Sequence, residues 1–202
     1  MKLNYKRTLL IGLAFLSISA FWQMYDNIIP LILKNTFHMK ETMTGVIMAG
    51  DNVLALFLLP IFGALSDKVD TKIGKRMPFI LGGTALAVIL LMILPYADRT
   101  QNQVMFVVVL FMLLISMGLY RSPAVALMPA LTPPALRSEG NAIINLMGGV
   151  GSVIGMVAGT IVVAIYTAVT GTTVDASNEQ FTSFPYVFLL GAIVMVIGML
   201  VV

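Results

Sequence analysis

Along this chain the apolar residues do not recur at a helical or strand period; they run on without interruption. Six segments are apolar enough and long enough to read as membrane spans, near 8–34, 43–66, 78–97, 103–129, 139–169 and 184–202. The hydrocarbon core of a bilayer is about 30 Å thick, and roughly 20 helical residues cross it. Polar and charged residues gather between the segments. The pattern predicts an all-α, multi-pass integral membrane protein with six transmembrane helices. The opening MKLNYKR and its apolar run begin like a secretory signal. The apolar character continues past Ala20 to Leu33, longer than a signal's apolar region, so the first segment is read as a retained helix.

Composition agrees. Of 202 residues, 59% are hydrophobic and 10% charged, where a soluble domain carries about 25% charged residues. Mean hydropathy is +0.98. The net charge of +3 is spread over loops rather than set in a patch interleaved with aromatics, which argues against nucleic-acid binding. Without cysteine there is no disulfide framework, thiol nucleophile or thiolate metal site. His38, the single histidine, falls in the first outer loop and is read as a solvated residue.

Charge also sets orientation. With the N-terminus inside, the inner segments hold Lys2, Lys6, Arg7, Lys68, Lys72, Lys75, Arg76 and Arg137, and the outer loops hold Lys34, Lys40 and Arg99. Basic residues stay on the cytoplasmic side, so both termini are expected there. The polar loop at 170–183 then falls outside, and the expected location is the cell membrane.

The loop from Gly63 to Pro78, GALSDKVDTKIGKRMP, carries Lys68, Lys72, Lys75 and Arg76 within nine residues. Gly63 and Gly74 allow close approach and tight turning, and Pro78 suits the first turn of the next helix. Asp67 stands where a helix ends, an unfavourable place for a carboxylate without a specific partner. This stretch resembles the signature loop between the second and third helices of the major facilitator superfamily, G-x-L-x-D-R/K, a spacer, then G-R/K-R/K. Gly63, Leu65, Asp67, Lys68, Gly74, Lys75 and Arg76 match it. The long spacer VDTKI and the following Arg-Met-Pro-Phe resemble the sucrose–proton symporters and the related glycoside–pentoside–hexuronide cation symporters.

The resemblance implies a fold and an activity. Members of this superfamily are secondary transporters with two six-helix halves and a substrate site between them, working by alternating access. The resemblance covers the whole chain but one half of that architecture. The expectation is the N-terminal half of a chain about twice as long, by the same two-half logic, or a half-size protein that needs a partner half or a second copy of itself. Within the half, a 3+3 inverted repeat is expected. Trp22-Gln23-Met24-Tyr25-Asp26-Asn27, with Pro30 following, echoes Gly118-Leu119-Tyr120-Arg121-Ser122-Pro123 in a span of opposite direction.

Three ionisable residues fall inside the spans: Asp26, Asp51 and Arg121. A charge at the bilayer centre costs about 2.5–3.5 kcal/mol even on lenient scales, so these face a bundle interior or a water-filled cavity. From the helical rise, Asp26 lies roughly 7 Å and Asp51 roughly 5 Å outward of their helix midpoints, and Arg121 about as far inward. The aspartates therefore share a depth, and Arg121 is expected to miss both unless helices tilt or a substrate bridges. Carboxylates that are buried near a like charge retain protons more readily, which makes Asp26 and Asp51 the expected proton-coupling pair. Hydrogen bonding of either aspartate to helix backbone is the structural alternative.

Around these charges stand Trp22, Gln23, Tyr25, Asn27, Asn52, Tyr120, Asn141 and Asn145. Amides, hydroxyls and an aromatic face in a mostly apolar cavity suit a sugar. Trp22 lies too deep to be an interfacial anchor, and ordinary helix packing is its rival role. The run from Arg121 through Leu-Thr-Pro to Arg137, Asn141 and Ala142 resembles the symporter segment joining helices four and five, which implies that Arg121 lines the substrate cavity. Sodium-using relatives carry helix-two carboxylates where this chain has Ala55 and Leu59, so the resemblance implies a proton rather than sodium. No other cofactor and no metal is expected.

Gly151, Gly155 and Gly159 at four-residue spacing offer a face that another helix can approach closely. They admit a second reading, a non-transport membrane subunit that acts through helix assembly. An enzyme is disfavoured, since no Ser/His or metal-ligand constellation is present.

Overall fold

The computed structural model describes residues 4–71, 74, 76–171 and 185–201. Among the described residues six α-helices follow one another: α1 Tyr5–Asn35, α2 Glu41–Lys68, α3 Met77–Arg99, α4 Gln103–Leu131, α5 Arg137–Thr170 and α6 Pro185–Val201. No strand occurs among the described residues. The first five helices are each long and apolar enough to cross a membrane; α6, with 17 residues, is shorter. The expected loop at 170–183 lies outside the described residues from position 172 onward.

Local chemistry starts and stops these helices. Asn4 caps α1 by accepting the Arg7 N–H, and Asn102 caps α4 by accepting that of Met105, each satisfying one of the orphan donors of a first turn. Helix α5 ends at Gly171, whose φ of +70° is the left-handed conformation that terminates helices. Gly74 turns the α2–α3 link at a φ of +114°.

Packing is uneven around the bundle. Helix α1 has its most extensive contact with α5 and also touches α6, α4 and α2. Helix α4 packs on α3 and α2, and α3 also packs on α6. The core collects Phe21, Tyr25 and Ile29 of α1 with Leu91 and Leu94 of α3, Leu110 and Tyr120 of α4, and Phe188 of α6. Helix α2 buries Ser66 alone, while Leu56 and Phe57 are 71% and 61% exposed. Helix α5 likewise leaves Leu146, Val153 and Met156 uncovered.

The glycine face of α5 is filled from within. A Cβ built on Gly151 would meet the Leu16 carbonyl of α1, and one on Gly155 would meet the Ala20 carbonyl. Glycine lets two backbones come this close. The helix expected to approach this glycine face closely is α1 of the same chain.

Candidate functional site

One stripe of α1, residues 15, 18, 19, 22, 23 and 26, shares a helical face by its three- and four-residue spacing. It forms a wall of a cavity of about 280 Å³ that Arg121 and Val125 of α4 and Ser152 of α5 complete. Trp22, Gln23, Asp26 and Arg121 thus converge in one recess among otherwise apolar helices. A narrow gap adjoins it between α1, α2 and α4, lined by Trp22, Asp51, Leu58, Gly118 and Arg121 among others. Trp22 and Arg121 border both spaces.

The Arg121 guanidinium carbon lies 5.5 Å from the centroid of the Trp22 ring, within range of a cation–π contact. Phe21 and Tyr25 brace that ring edge-on at centroid distances of 5.4 and 5.5 Å. Trp22 Nε1 is buried and has no hydrogen-bond partner among the described residues. Among the described residues Arg121 forms no ion pair, yet it borders the cavity of Asp26 and the gap of Asp51. Arg121 thus borders the spaces of both aspartates while, among the described residues, it pairs with neither, as expected from its depth.

Asp26 lies within reach of the Asp51 charge. Asp26 is exposed toward the cavity. Asp51 Oδ1 accepts from the Asn52 backbone N–H at 2.6 Å and from the Asn52 amide at 2.8 Å. Asn52 therefore orients Asp51 instead of facing the large cavity.

Four further expected contacts are placed elsewhere. Tyr25 and Tyr120, at 1% and 0% exposure, are core residues and border neither space. The Tyr120 hydroxyl shares a 2.8 Å hydrogen bond with Ser17 Oγ, which joins α4 to α1; that of Tyr25 has no partner among the described residues. The Asn27 amide donates back to the Gln23 carbonyl at 2.8 Å, and Asn145 is exposed outside the cavity lining. Short polar side chains on a helix readily bond their own backbone, which explains Asn27.

Sequence reasoning missed three polar residues. Ser19 and Ser152 line the cavity, and only their spacing from Trp22 and Gly155 marks them. Asp98 lay one residue past the expected third span; α3 continues to Arg99, and Asp98 is 1% exposed, with Thr36 beside its carboxylate.

In the α2–α3 link, Asp67 has its partner within the same loop. Arg76 Nε and Nη2 donate to Asp67 Oδ1 at 3.0 and 2.7 Å, and Arg76 Nη1 donates to the Ala126 carbonyl of α4. Arg76 is thus the specific partner that Asp67 was expected to need, and the pair clamps the link internally. Thr71 Oγ1 donates to the Gly74 carbonyl at 2.6 Å and holds the turn. Gly63 faces α4, where an added Cβ would stand 3.2 Å from Ser122 Oγ. Lys68 is exposed, and Lys75 lies outside the described residues.

Comparison with known proteins follows the same direction. A family model described as Major Facilitator Superfamily matches residues 11–202. Among curated proteins, the sucrose transport protein SUC3 of Arabidopsis thaliana is 28% identical over 126 residues, which are 53% of this chain and 21% of that protein. The aligned stretch therefore spans about a fifth of that relative's length. No solved structure gives a match.

Proposed function

Because the chain belongs to the Major Facilitator Superfamily, and is thereby a multi-pass integral membrane transporter protein, we propose that it forms the N-terminal six-helix half of a proton-coupled sugar symporter. The observation that carries this reading is the recess in which Trp22, Gln23, Asp26 and Arg121 meet. An aromatic face, an amide and two opposite charges in a mostly apolar wall suit a polar ring with several hydroxyls. The likeness to a protein named as a sucrose transporter supports sugar over other small polar solutes.

Arg121 already covers the Trp22 ring. For a sugar to stack there, the guanidinium moves aside and bonds the sugar's hydroxyls, so binding and the position of α4 are linked. Asp26 and Asp51 carry the proton: Asp26 lies within reach of the Asp51 charge and opens on the substrate recess. Ala55 and Leu59 bring apolar side chains to the gap beside Asp51, which favours a proton over sodium.

The uncovered apolar faces of α2 and α5 support a working unit with a second six-helix half seated on them. The helix pairings support a 3+3 repeat as well. Exchanging each helix for the one three positions on converts the α1–α5 contact into α4–α2, and α1–α6 into α4–α3. Both termini lie on the cytoplasmic side in this reading, by the charge bias of the loops. Since α1 occupies Gly151 and Gly155, nothing in that face favours the assembly-subunit alternative.

The test uses the intact protein in proteoliposomes, with labelled sucrose outside and an inward proton gradient. Wild type accumulates sugar uphill. Asp26→Asn and Asp51→Asn lose accumulation and keep counterflow exchange. Accumulation in both variants would overturn proton coupling, and absence of sugar counterflow in wild type would overturn the sugar.

A further inference from the structure

A second recess lies at the opposite end of α1 from its outer loop, well away from Trp22. It has a volume of about 180 Å³ and is enclosed by the first two turns of α1 and the α4–α5 link. Its lining is divided: Asn4, Arg7, Thr8 and Thr132 are polar, whereas Ile11 and Leu136 are apolar. Two of the polar groups are already used. Asn4 Oδ1 accepts the Arg7 N–H, and Thr8 Oγ1 donates to the Asn4 carbonyl at 3.1 Å.

Two groups remain without protein partners among the described residues. The Arg7 guanidinium makes no ion pair or side-chain hydrogen bond. Thr132 is 7% exposed, and its hydroxyl makes no hydrogen bond, although its carbonyl accepts from Arg137 Nε. Thr132 lines the recess, so its unpaired hydroxyl is accessible to a group bound there. A free guanidinium beside it selects the complement: an acceptor-rich anion, for which the planar fork of arginine is well matched. The nearest acidic side chain on either wall, Glu139, is engaged by the Tyr5 hydroxyl. It does not neutralise Arg7.

We propose that this recess binds a phosphate group, carried by a membrane lipid, with Arg7 and Thr132 holding its oxygens and Ile11 and Leu136 against the lipid's glycerol backbone. The divided lining is what distinguishes a lipid headgroup from free phosphate, which has no apolar part to place. The position fits, since the recess lies at the ends of membrane-spanning helices, where headgroups are found, and basic pockets between such helices take anionic headgroups. The consequence is a lipid strut between α1 and the α4–α5 link, bridging two segments that form few contacts of their own. It is independent of what the protein transports.

The experiment is titration of the intact purified protein, in uncharged detergent, with short-chain phosphatidylglycerol and separately with inorganic phosphate, read by native mass spectrometry. Wild type is expected to retain one lipid molecule. Arg7→Gln weakens binding at least about tenfold, the loss of one charge-assisted hydrogen bond. Lys6→Gln removes the same charge beside the recess and leaves binding unchanged. Leu136→Trp fills the recess without altering charge and also abolishes binding, so a folding defect in one variant does not decide the matter. Inorganic phosphate that displaces the lipid with the same Arg7 dependence would assign the site to free phosphate and overturn the lipid. Equal loss in Lys6→Gln, or no dependence on Arg7, would overturn the site.

Discussion

The close approach of α1 to α5 gives a sharp expectation for Gly151→Ala. A Cβ at this position falls 2.7 Å from the carbonyl carbon of Leu16 and 2.8 Å from its Cα, with the carbonyl oxygen nearer still. Carbon atoms rest at about 3.5–4.0 Å, so the two backbones must separate by roughly 1 Å. No flexible side chain is available to absorb that shift. The pair is the most extensive helix contact of the bundle, and overpacking costs about 1–3 kcal/mol, with a backbone clash at the upper end. Gly149 supplies an internal control: a Cβ there meets nothing within 4 Å. Alanine at Gly149 is expected to stabilise α5 by about 0.5–1 kcal/mol through helix propensity alone. The two variants should therefore differ by about 3 kcal/mol in detergent-micelle unfolding, followed by the fluorescence of Trp22, the only tryptophan. The sugar uptake proposed above should fall with stability in Gly151→Ala, because α1 carries the cavity wall. If both alanine variants unfold within about 0.5 kcal/mol of wild type, the glycine-seated contact is refuted; such shifts are ordinary for surface changes.

Two other substitutions follow from single contacts. Asp67 is 59% exposed in its pair with Arg76, so Asp67→Ala should cost under about 1 kcal/mol of stability; initial-rate kinetics should show turnover falling more than apparent affinity, and unchanged turnover with weakened binding would contradict the clamp's role. Arg76→Ala also removes the bond to the Ala126 carbonyl and should be the more damaging of the two, by thermal unfolding and by transport. Tyr25→Phe removes a buried hydroxyl that has no partner; the cost of such a group is about 1–3 kcal/mol, so this variant should unfold at a higher temperature than wild type, and a lower one would show that the hydroxyl is satisfied in the folded protein.

Part of the candidate site could be read from residue type alone, because charges inside apolar spans are too costly to face lipid. Asp26 and Arg121 were legible for that reason, and they share one cavity with the neighbouring Trp22 and Gln23. Tyr25 and Tyr120 were not, since an aromatic side chain in a membrane helix is equally at home in a core, a cavity or lipid. Their hydroxyls did not decide the matter: one is bonded to Ser17 and the other to nothing. Asp98 escaped because its segment's end was set by hydropathy, whereas the helix backbone continues to Arg99.

The sequence by itself determined that the chain makes long apolar helices joined by polar links, because the bilayer's thickness and the cost of charge within it act on composition and length. Which face of each helix looks inward was decided only by the tertiary structure. In a soluble helix, polar residues mark the outer face; here both lipid and core are apolar, and that mark is erased. Only the packed bundle seats α1 on Gly151 and Gly155, gives Asp67 its partner in Arg76, and brings Arg121 to the cavity of Asp26.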